Sequence, residues 1–134
     1  MMPQSADMPR HVFVYGTLRS GGRNDIARFQ PRPERVADAR IAGTLYDLGA
    51  YPGAVLGGSG EVFGEIYRIT PELEAQLDVL EEVEPDGSGE YIKREVLVEP
   101  DTGGERLPCL VYEIHPERIR GRSVIASGDW FGLR

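Results

Sequence analysis

Two sets of groups in this chain could do chemistry together: a turn of main-chain amides near the N-terminus and a carboxylate near the end of a helix. Residues 12–15 (VFVY) favour extended structure, and Gly16 and the small residues at 20–22 then end that strand in a turn. A buried strand that opens into such a turn points several N–H groups into one space. Those donors suit an anion or a developing oxyanion.

The carboxylate must be positioned by the strongest helix signal in the chain. Thr70 is a preferred N-cap residue, and Pro71 suits the first helical position. An apolar stripe at positions i, i+4 and i+7 follows, formed by Leu73, Leu77 and Leu80. Because Pro85 disfavours helix at the residue before it, we expect the helix to end near Glu82 or Val83.

Glu81 lies at the edge of this stripe, roughly 80° from its centre, whereas Glu82 falls on the opposite, solvated side. Partial burial would raise the pKa of Glu81 above its ordinary value of about 4.3 and let it move protons near neutral pH. The pattern alone favours a plainer interpretation, in which Glu81 is a boundary residue with its carboxylate in water.

Elsewhere the sequence predicts more strands than helices. Residues 61–69 form the clearest strand, and residues 91–99 and 106–114 are expected to pair as a hairpin. One main helix between strands predicts an α+β fold rather than a doubly wound sheet. We expect a flexible leader over residues 1–10 and a single domain over residues 11–134.

Shorter features complete the pattern. Two or three short strands are expected within residues 36–55, with turns at Gly49 and at residues 52–53. Asn24 is expected to cap one or two helical turns, and Trp130 to pack back on the domain.

Composition excludes several classes of function. A formal net charge of -7 over 134 residues argues against nucleic-acid binding, which needs a basic face, and against attraction to anionic membranes. The chain has no apolar run long enough to span a bilayer and no secretory signal pattern. Its one cysteine permits no intrachain disulfide, which fits a cytoplasmic location. Oligomeric state stays open.

Four motifs and one aromatic residue occur in the order found in a known family. The motifs are residues 15–18 (YGTL), 45–55 (LYDLGAYPGAV), 77–81 (LDVLE) and 127–130 (SGDW), and the aromatic residue is Tyr91. Together they resemble the γ-glutamylcyclotransferase-like family, which includes γ-glutamylamine cyclotransferase and the AIG2-like proteins.

The resemblance implies a small mixed, β-barrel-like sheet with one main helix. It also implies an enzyme that acts on a small γ-glutamyl amide, without cofactor or metal, and releases 5-oxoproline with a free amine or amino acid. Glu81 matches the family's catalytic acid/base. Amides of the turn would bind the substrate's carboxylate or carbonyl oxygen; they belong to Tyr15, Gly16, Thr17 and Leu18. Tyr91 would line the pocket, although a rim aromatic at a strand start fits its pattern equally well.

This chain departs from the family pattern beside the presumed site. Glu82 stands where Gly is common, the loop over residues 82–90 is a few residues longer, and Phe131 stands where Arg is common. These differences leave the natural substrate open. Two other functions also stay open: a non-catalytic small-ligand binding domain with Glu81 pointing elsewhere, and an interaction domain without a cavity.

Other candidate residues have plainer interpretations. Arg94 falls among apolar residues of a predicted strand, where an edge charge or an ion pair with a nearby Glu is favoured over substrate binding. Cys109 lies in an apolar strand and is expected to be a buried, inert thiol. His11 and His115 lack the spacing of metal ligands.

Overall fold

The computed structural model of the protein describes residues 10–81 and 89–131. Across those residues, strands outnumber helices and one α-helix stands between them. In chain order the elements are β1 (Arg10–Val14), a 3-10 turn (Ile26–Arg28), β2 (Glu34–Asp47), β3 (Pro52–Ile69), α1 (Pro71–Leu80), β4 (Tyr91–Val98), β5 (Leu107–Ile114), a second 3-10 turn (Pro116–Ile119) and β6 (Ser123–Val124).

The described strands form one mixed sheet in the order β4-β5-β1-β3-β2-β6. β1 runs parallel to β5, and the other neighbours in this order are antiparallel. β3 pairs with β1 along its second half and also meets β5 near its start, where Ala54 lies opposite Glu113. The sheet therefore curls into half a barrel. The predicted α+β fold, with a barrel-like mixed sheet and one main helix, is confirmed.

β3 can pair with both β1 and β5 because its pairing with β2 is interrupted after Leu56. The ladder resumes at Glu61 and skips residues 57–60. Gly57 and Gly58 have φ values of 96° and 82° there, a backbone conformation that residues with a Cβ rarely adopt. The predicted strand at 61–69 is the second half of β3, and the predicted hairpin is the antiparallel pair β4–β5.

The region predicted as short strands belongs instead to the two long strands β2 and β3. Gly49, with φ of 100°, makes the expected turn. The predicted turn at Pro52 and Gly53 is wrong, because both residues begin β3. A Cβ on Gly53 would lie 2.6 Å from the Cβ of Ile114. Glycine at this position thus allows β3 to pass close to β5, which is a long-range requirement rather than a local turn.

Helix α1 begins as predicted and ends early. The Leu73 amide donates to the Thr70 hydroxyl at 3.2 Å, which caps the first turn. The last helical residue is Leu80, and the Glu81 amide still donates to the Leu77 carbonyl at 2.9 Å. The predicted ends, at residues 82 and 83, lie outside the described residues.

The apolar stripe of α1 packs on one of two buried clusters, which lie on opposite faces of the sheet. Leu73 and Leu77 are fully buried in the first cluster, but Leu80 is 41% exposed. The prediction of a continuous stripe is therefore wrong at its last position. Trp130 packs against the second cluster, as predicted.

Two expectations near the N-terminus need correction or adjustment. The short helical turn after the first strand is capped by Asp25, whose carboxylate accepts from the Ala27 amide at 2.9 Å, and not by Asn24. β1 begins at Arg10, which lies inside the predicted leader; residues 1–9 lie outside the described residues. No helix in the described part of the chain combines the length and apolarity needed to cross a membrane.

Candidate active site

A cavity of about 390 Å³ opens where the turn after β1, the loop before β3 and the end of α1 meet. It is lined by Tyr15, Gly16, Thr17, Arg23, Asn24, Ala50, Tyr51, Pro52, Leu80, Glu81, Glu90 and Tyr91. The structure thus brings together all but one of the six predicted site residues. The exception is Leu18, whose side chain is buried in the core cluster beneath the turn rather than in the cavity wall.

The turn after β1 presents main-chain donors. The amides of Gly16, Thr17 and Leu18 donate to no group within residues 10–81 and 89–131. Their carbonyl oxygens, in contrast, accept from the amides of Arg19, Asn24 and Ile26 at 3.0, 2.9 and 2.9 Å. Because buried N–H groups without partners cost free energy, this turn favours an anion or polar oxygen as a guest. The predicted row of amides is therefore available in the structure.

The turn requires glycine at position 16 because Pro52 lies too close to leave room for a side chain. A Cβ at this position would lie 2.7 Å from Cγ and 2.9 Å from Cδ of Pro52. Any larger residue would push the turn away from the start of β3. The Asn24 side chain also supports the turn, because its amide nitrogen donates to the Thr17 hydroxyl at 3.1 Å.

Arg19 fastens the turn to the sheet and to the C-terminal segment. Its Nε lies 3.2 Å from Oε2 of Glu65, and its Nη1 lies 2.7 Å from Oδ1 of Asp129. The guanidinium also stacks over the Phe131 ring at 4.6 Å. The second carboxylate oxygen of Glu65 accepts from the Ser20 amide at 2.8 Å. We call Arg19, Glu65, Asp129 and Phe131 the arginine clamp.

The arginine clamp was not foreseen from the sequence. Glu65 is the one buried charged residue in the described part of the chain, and it sits on strand β3 between Phe63 and Tyr67. A charge at an apolar position of a strand was the available signal, because such a charge needs a partner. Phe131, predicted only as the loss of a tail cation, instead stacks on a cation supplied by the turn.

Glu81 reaches the same cavity from the other side. It is the C-cap residue of α1, partly buried, and it shares the cavity wall with Tyr15 and Tyr91. Burial, and next the negative charge of Glu90, raise the pKa of Glu81 to about 7. The plainer interpretation, a boundary carboxylate in water, stays a prediction; Glu81 is half-buried and lines the cavity. Glu81 is a proton-binding group poised near neutrality.

The end of α1 is held on the sheet one turn before Glu81. The Asp78 carboxylate accepts from the Tyr112 hydroxyl at 2.7 Å and from the Lys93 ammonium at 2.8 Å. Lys93 also donates to Glu74 at 2.7 Å. We call Glu74, Asp78, Lys93 and Tyr112 the lysine network. It ties two turns of the helix to strands β4 and β5 and so fixes where the helix ends.

Buried phenols form the inner wall, and their hydroxyls are used by the fold. Tyr15 donates to the Tyr112 carbonyl at 2.6 Å and accepts from the Ala54 amide at 3.1 Å. Tyr91 donates to the Pro52 carbonyl at 2.7 Å. Burial raises the pKa of both phenols far above the ordinary value. These rings therefore shape the inner wall of the cavity beside Glu81 and do not supply protons.

The solvent side of the cavity carries groups that the sequence did not single out. Arg23 donates through Nη2 to the Ala50 carbonyl at 2.6 Å. The Tyr51 hydroxyl donates to the Glu90 carboxylate. The loop before β3 is thus tied to both sides of the opening. The predicted lengthening of the 82–90 loop and the replacement at Glu82 fall mostly on residues 82–88, outside the described residues.

The remaining candidates occupy structural positions. Arg94 forms an ion pair with Glu113 at 3.0 Å, as expected for an edge-strand charge. Cys109 is fully buried, and burial raises its pKa to about 12. His115 caps the second 3-10 turn through Nδ1. Among the residues that the structure describes, no group of three or more His, Cys, Asp or Glu side chains could hold a metal ion.

An α+β fold with a curled sheet, in which unpaired amides and a half-buried carboxyl line one small cavity, defines a protein with a site for a small molecule. Residues 12–132 match the family model described as gamma-glutamyl cyclotransferase, AIG2-like, and the chain belongs to that family. The family assignment drawn from the motifs is confirmed.

The relatives are similar along most of their length. A protein of Vibrio cholerae is 39% identical over 131 residues, which are 92% of this chain and 96% of that protein. The gamma-glutamylcyclotransferase family protein YtfP of Escherichia coli K12 is 35% identical over 120 residues, 89% of this chain and 94% of its own. The crystal structure of a mouse AIG2-like protein superposes with a TM-score of 0.69 at 26% identity, over 83% of this chain and 82% of that one.

Proposed function

We propose that the protein is a γ-glutamyl cyclotransferase that converts a γ-glutamyl amide into 5-oxoproline and a free amine or amino acid, in the cytoplasm and without a cofactor. The observation that carries the proposal is that Glu81, with a pKa of about 7, lines the same cavity as the unpaired amides of Gly16 and Thr17. The family of the chain supports the reaction class.

The proposed step is an intramolecular aminolysis in which one carboxylate relays two protons, one after the other, from the attacking nitrogen to the leaving nitrogen. Glu81 takes a proton from the substrate's α-ammonium, and the freed amine attacks the γ-amide carbonyl carbon. A new N–C bond closes the five-membered ring as the old C–N bond breaks. The protonated Glu81 then gives its proton to the leaving nitrogen. The ring nitrogen still carries two protons, so Glu81 takes the second one and passes it to the released amine, which leaves as an ammonium. Atoms balance without water, and the carboxylate is regenerated.

The amides of the turn would stabilise charge on the substrate. Either the α-carboxylate or the oxyanion that forms on the γ-carbonyl needs fixed donors, and each oxyanion donor can contribute about 3 kcal/mol. The arginine clamp holds these donors still before the substrate arrives. The shaped wall of Tyr15 and Tyr91 would favour the folded-back substrate conformation that ring closure requires.

The competing functions fit less well. A non-catalytic binding domain requires Glu81 to point away from the amides, and an interaction domain requires that no cavity exist. Glu81 and the turn instead line one cavity of about 390 Å³.

A panel of γ-glutamyl amines and γ-glutamyl dipeptides, assayed for 5-oxoproline, tests the proposal. We expect turnover by the wild type, with kcat/KM rising with pH to a plateau above about pH 7 as Glu81 ionises. Glu81→Gln should lose at least about 100-fold in kcat while keeping its circular dichroism spectrum. Glu72→Gln, which removes an exposed carboxylate in the first turn of the same helix, is the matched control. Wild-type rates in Glu81→Gln would remove Glu81 from the mechanism, and no turnover of any panel member would favour the binding domain.

A further inference from the structure

The proposed reaction leaves one charged group of the cavity without a role. Arg23 is exposed, lines the cavity and is the one cation in its described wall. Its Nη2 is held by the Ala50 carbonyl. A guanidinium carries five N–H donors, and the remaining donors of Arg23 have no acceptor within the described ranges. The side chain is therefore oriented but still able to bind an anion.

The position of Arg23 relative to the amides separates two anion sites. Gly16 is buried and Thr17 half-buried, whereas Arg23 and its partner Ala50 are exposed. The reacting amine must lie next to Glu81, so the α-carboxylate on the same carbon lies in the inner part of the cavity with the amides. The leaving group extends away from the ring that forms, toward the solvent side where Arg23 stands.

A second anion site distinguishes between kinds of γ-glutamyl amide. A γ-glutamyl amine has one carboxylate, which the inner amides satisfy. A γ-glutamyl amino acid has a second carboxylate, and that group sits on the leaving part. A preoriented arginine binds a carboxylate through charge-assisted hydrogen bonds and loses little rotamer freedom when it does so.

We propose that Arg23 is a specificity-determining residue that selects γ-glutamyl amino acids and short γ-glutamyl peptides over γ-glutamyl amines, by binding the carboxylate of the leaving group. The inference rests on the proposed function. Glu90 opposes this selection, because its negative charge also lies on the cavity wall and would favour a cationic leaving group. The hydrogen bond from Tyr51 occupies one oxygen of the Glu90 carboxylate, whereas Arg23 uses only Nη2 and keeps donors without an acceptor in the described ranges.

Two substrates of one skeleton provide the test. γ-Glutamylalanine and γ-glutamylethylamine differ only by the leaving-group carboxylate. We expect wild-type kcat/KM to favour γ-glutamylalanine, and Arg23→Gln to lower the ratio of the two kcat/KM values about tenfold, the value of one exposed charge-assisted contact. Arg32→Gln, which removes an exposed arginine outside the cavity, should leave the ratio unchanged.

Binding to the Glu81→Gln protein, measured by calorimetry, repeats the comparison without turnover. The same tenfold preference for γ-glutamylalanine, lost on adding Arg23→Gln, would support the inference even if the reaction differs from the one proposed. An equal loss for both ligands would assign Arg23 to the α-carboxylate and overturn the inference. A ratio that Arg23→Gln leaves unchanged, or a wild-type preference for γ-glutamylethylamine, would overturn it as well. Absence of 5-oxoproline from any substrate, by contrast, counts against the proposed function.

Discussion

The two walls of the cavity are each held by a network of ion pairs, and the central pairs of the two networks differ in their exposure to water. The arginine clamp holds the amide wall, and the side chains of Arg19 and Glu65 are only 12% and 6% exposed. The lysine network holds the helix wall, and the side chains of Lys93 and Asp78 are 27% and 28% exposed. The Arg19–Glu65 pair is thus nearly shielded from water, whereas water can reach the Lys93–Asp78 pair. The second partners, Asp129 at 35% and Glu74 at 12% exposed, do not follow this difference.

This difference matches what each wall would have to do. Main-chain donors work as a binding site only when they are fixed in advance, and a buried ion pair is costly to break because the partner left behind is not rehydrated. A carboxyl that exchanges protons needs contact with solvent, and Glu81 stands at the end of the helix held by the wetter network. Ion pairs near water contribute less, because water replaces a lost partner.

Breaking the arginine clamp should have the largest effect on the free energy of unfolding. Arg19→Met leaves the Glu65 carboxylate buried without its cation, and we expect the free energy of unfolding to fall by about 3 kcal/mol. Urea denaturation measures this change. Arg40→Met is a matched control, because Arg40 also pairs with a glutamate, Glu61, and lies over a ring, Phe63, but at the surface. We expect the control to cost less than about 0.5 kcal/mol. Equal losses of unfolding free energy in Arg19→Met and Arg40→Met would show that the burial of the Arg19–Glu65 pair does not make it more important for stability than a surface pair.

Breaking the lysine network should lower the free energy of unfolding by a smaller amount. Lys93→Met removes the shared partner of Asp78 and Glu74, and we expect a loss of about 1 kcal/mol in the free energy of unfolding. The Tyr112 hydroxyl still donates to Asp78 in this variant, which limits the damage. The same denaturation series provides the measurement. A loss as large as that of Arg19→Met would show that the helix wall is the more rigid of the two.

Replacing Glu81 should change the free energy of unfolding by no more than Lys93→Met does, and the size of the change depends on pH. The pKa of Glu81 is about 7 in the folded protein against an ordinary value of 4.5, so the folded state holds a proton that the unfolded state has lost. The stability of the wild type therefore falls as pH rises from about 4.5 through 7. We expect Glu81→Gln to be more stable than the wild type by about 1 kcal/mol at pH 8, since the full shift of about 3 kcal/mol is reduced by solvent contact.

Denaturation at pH 4 and at pH 8 tests the sign. The stability difference between Glu81→Gln and the wild type should vanish at the lower pH, where Glu81 is protonated in both states. A variant that is less stable than the wild type at pH 8 would mean that the charged carboxylate has a stabilising partner.

Sequence reasoning predicted the parts of the candidate site that depend on local structure, although the family resemblance and not the helix pattern selected Glu81 as the acid. The cap at Thr70, the buried Leu73 and Leu77, and the position of Glu81 beside them depend on helix periodicity alone. The turn at Gly16 depends on a strand that ends in small residues, which is also a local signal.

The remainder of the site depends on contacts between distant parts of the chain. Pro52 and Gly53 carry a turn signal, yet they begin a strand because β3 must pass close to Ile114. Arg23 and Glu90 reach the cavity from separate loops, and no spacing in the sequence indicates that they share an opening. Leu80 follows the stripe but is exposed, because the helix ends where the cavity begins.

The Asp129 contact of Arg19 has a consequence for the order in which the protein matures. These two residues are 110 positions apart, so strands β1 to β6 have all been synthesised before the anion that completes this fastening can reach its cation. The fastening of the amide turn is therefore completed only after every strand of the described sheet has been synthesised.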